Sequence, residues 1–296
     1  MSTMASAAAS GGLRARTVWR SRAATVAYWA VGGATAVLFV FPMIWSLIRS
    51  LQTSRAFLSA PSWGSVVHLT FRNYSNLLNV GSGILQYALN SLLVGIASAI
   101  VTVILATMAG YGFARFSFPF KRLSFVLILA VFLVPFQSLL APLLYVLKTV
   151  HLDNSLAGLA VVYITFQLPL SVFIMRNSFA QVPRALEEAA ILDGASAFAI
   201  LRRVMWKLVF PGTVTVALFT FLFAWNEFLA SLTFITTNTR YTLPVALVNV
   251  ELGAFGQVNY GVLEAGAVIA MVPCLVLFLI LQRYYVRGLL AGATKG

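Results

Sequence analysis

The chain has 296 residues, of which 60% are hydrophobic and 9% charged, and its 20 basic residues outnumber 7 acidic ones for a net charge of +13. A soluble domain gives about a quarter of its residues to charge, so this composition cannot form a water-facing skin and the bilayer is the expected solvent. The basic excess falls in short gaps between apolar runs, as topology signals do, and not in a patch suited to a phosphate backbone, so no nucleic-acid partner is expected.

Cys274, the only cysteine, lies inside an apolar run. No intrachain disulfide or thiolate metal cluster can form, and a small packing residue is the plain reading. His68 and His151 are too far apart in sequence to suggest a metal-ligand pair. No metal site is expected.

In chain order, residues 1–22 read as an N-terminal tail, unstructured before Arg14. The basic run Arg14, Arg16, Arg20 and Arg22 followed by apolar sequence imitates a signal peptide, but the apolar stretch 23–48 is long enough to cross the hydrocarbon and reads as an uncleaved first span. Residues 49–84 form a long loop with Pro61, Trp63, Gly64 and the run Leu69-Thr70-Phe71-Arg72-Asn73-Tyr74. Turn formers mixed with aromatics suit a folded cap or docking surface. Further spans are expected at about 85–113, 123–147, 154–175, 208–234 and 262–282. Pro135 and Pro142 interrupt the third, Pro169 the fourth and Pro273 the sixth, each removing a backbone donor and favouring a kink.

With the N-terminus inside, one side holds Arg14, Arg16, Arg20, Arg22, Arg115, Lys121, Arg122, Arg176, Arg184, Arg202, Arg203, Lys207, Arg283, Arg287 and Lys295. The other holds only Arg49, Arg55, Arg72, Lys148 and Arg240. The positive-inside rule therefore puts both termini, including the tail 284–296, in the cytoplasm.

The cytoplasmic loop 176–207 contains Glu187, Glu188 and Asp193, three of the seven acidic residues. Pro183 can begin a short helix there, with Glu187 and Glu188 near the positive end of its dipole. Gly194 can end it in the left-handed conformation, and Ser196 can cap a second helix running through Arg202 and Lys207 into the fifth span. Ala185, Ala189 and Ala190 give the first helix a small-residue face and Leu186 an apolar contact, the shape of a plug for a groove. A helix lying along the membrane interface fits these residues as well.

Glu188-Ala189-Ala190, three residues, then Gly194 resembles the EAA motif of importer-type ABC permeases. Val204 and Pro211 continue that pattern, whereas the family's usual Leu-Pro pair is Trp206-Lys207 here. Asn90-Ser91-Leu92-Leu93, Gly110-Tyr111-Gly112-Phe113-Ala114-Arg115-Phe116, Val134-Pro135-Phe136-Gln137, Trp225-Asn226-Glu227-Phe228-Leu229 and Tyr241-Thr242-Leu243-Pro244 are similar to carbohydrate-uptake permeases of the maltose-transporter type. In particular they resemble the second, six-span permease of the pair.

The resemblance implies an all-α integral membrane protein of the type I ABC importer permease fold, with 85–283 as its transmembrane domain. It further implies a partner permease, two ATPase subunits and an extracytoplasmic sugar-binding protein, in a bacterial cell membrane whose lipid surrounds the spans. Leu186, Glu187, Glu188, Ala189, Ala190, Asp193 and Gly194 would form the coupling helix that docks in the ATPase. No Gly-Lys dipeptide occurs, so the phosphate-cradling loop of an ATPase is absent. No cofactor is expected on this chain, and ATP and Mg belong to the partner ATPase.

Glu227, a carboxylate inside the expected fifth span, faces a cavity, the bundle interior or a partner. With Trp225 and Asn226 it is a candidate for the substrate pathway, or it joins helices. The same two readings hold for Gln137 and Gln167. A membrane enzyme would need a buried constellation of reactive groups, and none is visible. A secondary carrier or channel would be expected to carry several buried charges or an inverted repeat, and Glu227 alone stands well inside a span.

Overall fold

The computed structural model describes residues 3–53, 69–254 and 258–293 and is all-helical. The helices are α1 (Thr3–Ser50), α2 (Arg72–Leu78), α3 (Ile84–Arg115), α4 (Lys121–Ala130), α5 (Leu140–Thr149) and α6 (Leu156–Ala180). After them come α7 (Ala185–Leu192), α8 (Trp206–Asn226), α9 (Leu229–Phe234), α10 (Leu243–Glu251) and α11 (Tyr260–Ala293). Among the described residues five stretches are long and apolar enough to cross a membrane: Ala24–Ser50, Ile84–Arg115, Leu156–Ala180, Ile200–Asn226 and Tyr260–Leu281. The pair Lys121–Leu133 and Phe136–Thr149 makes a sixth if taken as one bent span. The chain is a multi-pass membrane protein.

Three of the sequence expectations change. The tail before Arg14, expected to be unstructured, continues α1 back to Thr3, as its alanines favour. The third span is not one helix over 123–147. It bends by 95° where Val134 and Pro135 are extended (ψ 120° and 128°), because proline lacks an N–H and pushes its predecessor out of the helical region. The fifth span does not run to 234 either. It stops at Asn226, Glu227 is extended (ψ 126°), and α9 starts afresh at Leu229.

The centre of the bundle is α3 against α6 and α8. In α3 the buried residues Gly95, Ser98, Ala99, Thr102, Ala106 and Gly110 recur every three or four positions, a small-residue stripe that lets helices approach where no hydrophobic drive separates protein from lipid. The approach is tight at Gly110, where a Cβ would lie 2.6 Å from Met175 Cβ and 2.9 Å from the Arg176 nitrogen.

By contrast α1 is peripheral, with Val26, Trp29, Leu38 and Phe39 exposed along it. It meets α11, to which Ser46 Oγ donates a hydrogen bond at Glu264. Of the long loop after it, Pro61, Trp63, Gly64 and His68 lie outside the described residues. The remainder is folded onto the end of α1: Asn73 Nδ2 donates to the carbonyls of Ser50 (2.8 Å) and Gln52 (2.7 Å), and Ser50 and Tyr74 share a hydroxyl contact of 2.8 Å.

Candidate coupling site and the polar groups of the bundle

At the end of α3 remote from α2, about 48 Å along a helix of 32 residues, the chain builds a short, firmly held helix. The amides of Glu187 and Glu188 donate to Arg184 O (2.9 and 3.0 Å), opening α7 directly after Pro183. Both carboxylates lie in the first turn, where the helix dipole favours them. At the other end Gly194 has φ +76°. Gly194 N–H donates to Ile191 O (2.9 Å) and Ala195 N–H to Ala190 O (3.0 Å). This pair of bonds is the Schellman stop, which satisfies carbonyls that would otherwise be orphaned.

One side of α7 is tied to the bundle. Arg115, the last residue of α3, donates from Nε to Glu187 Oε1 at 2.7 Å and from its second guanidinium nitrogen to Val182 O at 2.7 Å. The Arg115 and Glu187 side chains are only 7% and 12% exposed. Ala190 and Ala195 pack on a core of Tyr111, Phe179, Val182, Ile200, Met205 and Val209. Leu186 lines a cleft of about 320 Å³ between the ends of α6 and α8. The other side is bare: Glu188, Ala189, Ile191 and Asp193 are exposed, and Leu192 is 88% exposed. The connection into α8 is a π-helical stretch, Ile200–Met205, a geometry frequent at functional sites. Ser196 Oγ accepts the Ala199 N–H at 3.4 Å just before it.

Farther along the bundle, Glu227 lies at the break after α8. Its carboxylate accepts from Tyr163 Oη at 2.7 Å, from Ala230 N at 3.0 Å and from Ser231 N at 3.3 Å. It therefore caps α9 and links α8 to α6 at once. Gln167, one turn from Tyr163 on α6, donates to Phe219 O at 3.0 Å. Trp225 points elsewhere, buried against Phe221 with its indole N–H on Ala270 O at 3.0 Å. Asn226 is exposed and donates to Leu222 O at 2.8 Å. Gln137 is exposed at the bend of the broken span, whose neighbouring Phe136 meets Phe166 and Phe223 edge to face. Glu227, Tyr163 and Gln167 thus share the α6–α8 contact, while Trp225 stands on the side toward α11.

Several structurally important partners escape a reading by type and spacing. Tyr163 and Arg115 become significant only through contacts 64 and 72 residues away in sequence. Glu264, on the fringe of the sixth span, likewise gains its role from a distant partner, accepting the Ser46 hydroxyl and holding α1 to α11. The Asn90-Ser91 pair also acquires a physical role: Asn90 Nδ2 donates to the carbonyls of Thr239 and Tyr241 (2.9 Å each), and Ser91 Oγ accepts the Leu243 N–H at 2.8 Å. Together they latch the segment before α10 onto α3.

A subunit of a bacterial ABC transporter involved in the import of the acidic polysaccharide alginate superposes with a TM-score of 0.78 at 18% identity, over 90% of this chain and 98% of that one. The fold is that of the type I ABC importer permease.

Residues 102–290 match the family described as binding-protein-dependent transport system inner membrane component, and the chain belongs to that family. It is a transport component and not an enzyme. Among its relatives, the trehalose transport system permease protein SugB of Mycobacterium tuberculosis is 35% identical over 91% of this chain and 97% of its own length. The arabinooligosaccharides transport system permease protein AraQ of Bacillus subtilis is 32% identical over 88% and 92%.

Proposed function

We propose that this chain is the six-span second permease of an ATP-driven carbohydrate importer, with both termini in the cytoplasm. Its partners are then another permease, two ATPase subunits that carry ATP and Mg, and an extracytoplasmic sugar-binding protein. The observation that carries the coupling role is the asymmetry of α7. One side is fixed to α3 by the Arg115–Glu187 pair, and the opposite side, with Glu188, Ile191 and Leu192, is open to a partner.

Closure of the ATPase pair pushes on that open side. Because the Schellman stop and the Arg115 fork leave α7 no soft joint, the push passes into α3, α6 and α8 as rigid movement. Glu188, Ala189, Asp193 and Gly194 form the docking element with Leu186 at its edge, and Glu187 and Ala190 anchor it. Glu227, Gln167, Gln137, Asn226 and Trp225 are the polar and aromatic groups assigned to the translocation half of the bundle, where Glu227 organises the break between α8 and α9. Carbohydrate as the cargo class is supported by the relatives named above and by the sugar-permease motifs.

The test is reconstitution in proteoliposomes with the chain's genomic neighbours, followed by a panel of oligosaccharides. A sugar that stimulates ATP hydrolysis and accumulates inside is the expected result. Accumulation driven by an ion gradient without ATP overturns the reading.

A further inference from the structure

Beyond coupling and transport, the structure contains a second charged site, at the joint between α3, α4 and α6. Phe113, Lys121, Arg122, Phe125, Val126 and Arg176 line a half-open pocket of about 400 Å³. Three cations surround it. Among the described residues no carboxylate lies within ion-pair distance of any of them, and Glu187 is engaged by Arg115. Arg176 is held instead by an aromatic face, with its guanidinium carbon 4.4 Å from the Phe125 ring centroid, and Lys121 Nζ donates to Phe116 O at 2.8 Å. Phe125 is itself fixed by Phe113 and Phe173 at 5.4 and 6.4 Å. The cations are therefore positioned without being neutralised, an arrangement that leaves a strong field for an anion.

The wall of the pocket distinguishes among anions. It lies where the span α3 has ended and the first turns of α4 enter the apolar region, and exposed Leu123, Val126 and Leu127 continue its apolar side along α4. A free phosphate would use the cations and waste the apolar strip. A phospholipid uses both, with the headgroup phosphate among the cations and an acyl chain along α4.

We propose that this pocket binds an anionic phospholipid, whose headgroup is held by Arg176, Lys121 and Arg122 and whose tail lies on the Leu123–Leu127 face. The ligand would brace the bent span Lys121–Thr149 at its entry.

The test is native mass spectrometry of the purified transporter complex titrated with phosphatidylglycerol or phosphatidylcholine of matched chains. Each basic residue near an anionic headgroup contributes about 1 kcal/mol, or about fivefold in affinity. Wild type should thus retain phosphatidylglycerol at least tenfold more tightly than phosphatidylcholine. Arg122→Gln, on an exposed side chain, should lower that preference about fivefold, and Arg122→Gln combined with Arg176→Gln and Lys121→Gln should remove it. Equal retention of both lipids by wild type overturns the proposal, and that comparison requires no variant to fold. Full displacement of the lipid by millimolar inorganic phosphate would show a simple anion site and overturns it too. So would a preference unchanged in the Arg122→Gln complex, or a pocket found covered by a partner subunit in cross-linking from position 126.

Discussion

Replacing Arg115 with Ala should release α7 from the bundle, and a helix of eight residues that has lost its packing should fray. In the native chain the guanidinium satisfies the Glu187 carboxylate and the Val182 carbonyl, each at 2.7 Å, and the pair is almost wholly buried. Removing one member of such a pair costs about 3–5 kcal/mol, because the remaining charge is left without compensation. About 1 kcal/mol of this reflects the lost bond to the carbonyl. At 1.4 kcal/mol per factor of ten, local opening of the segment should become about a hundredfold to a few thousandfold more frequent. Hydrogen exchange reads this directly at the amides of Asp193, Gly194 and Ala195, whose acceptors are Ala189, Ile191 and Ala190. The same substitution should lower substrate-stimulated ATP hydrolysis, because an unanchored lever transmits little. The double variant Arg115→Ala/Glu187→Ala removes both charges and should recover part of the lost protection. Unchanged exchange in Arg115→Ala, or strictly additive effects in the double variant, would refute the anchoring argument.

Three further outcomes follow from local geometry. Gly194→Ala should cost about 1–2 kcal/mol from the φ of +76° alone, since nothing lies within 4 Å of the added carbon, and Gly194→Asn should cost less; thermal melting of the complex distinguishes them. Gly110→Val should fail to assemble or melt well below wild type, because its Cβ meets the backbone nitrogen of Arg176 at 2.9 Å and overpacking costs about 1–3 kcal/mol or more. Asn90→Ala leaves the carbonyls of Thr239 and Tyr241 without their shared donor, at about 1 kcal/mol per lost bond. Limited proteolysis should then cut between 236 and 242.

The spans were legible because lipid demands long apolar helices, and α7 was legible because its start and stop obey local rules: Pro183 before it, carboxylates in its first turn, glycine after it. The breaks were harder to read. Pro135 signalled a kink, but a bend of 95° depends on Phe136 finding Phe166 and Phe223, contacts that span spacing does not reveal. The end of α8 was hidden for a similar reason. The sequence 208–234 carries no charge except Glu227, and at the point where the helix stops Glu227 serves the amides of α9 and the Tyr163 hydroxyl together. Pairing partners were the main loss. Glu187 and Glu188 look alike in sequence, yet one is buried on Arg115 and the other is exposed.

That difference gives the most direct measurement of the coupling role. Glu188→Arg changes an exposed side chain in the first turn of α7, at a cost to the helix of about 0.3–1 kcal/mol from the dipole, so the fold should survive. Co-purification of a co-expressed ATPase subunit with the tagged complex should be lost in Glu188→Arg and retained in Glu188→Gln. Equal recovery of the ATPase with wild type and Glu188→Arg, or a wild-type chain that travels without any ATPase and transports under an ion gradient, would contradict the account.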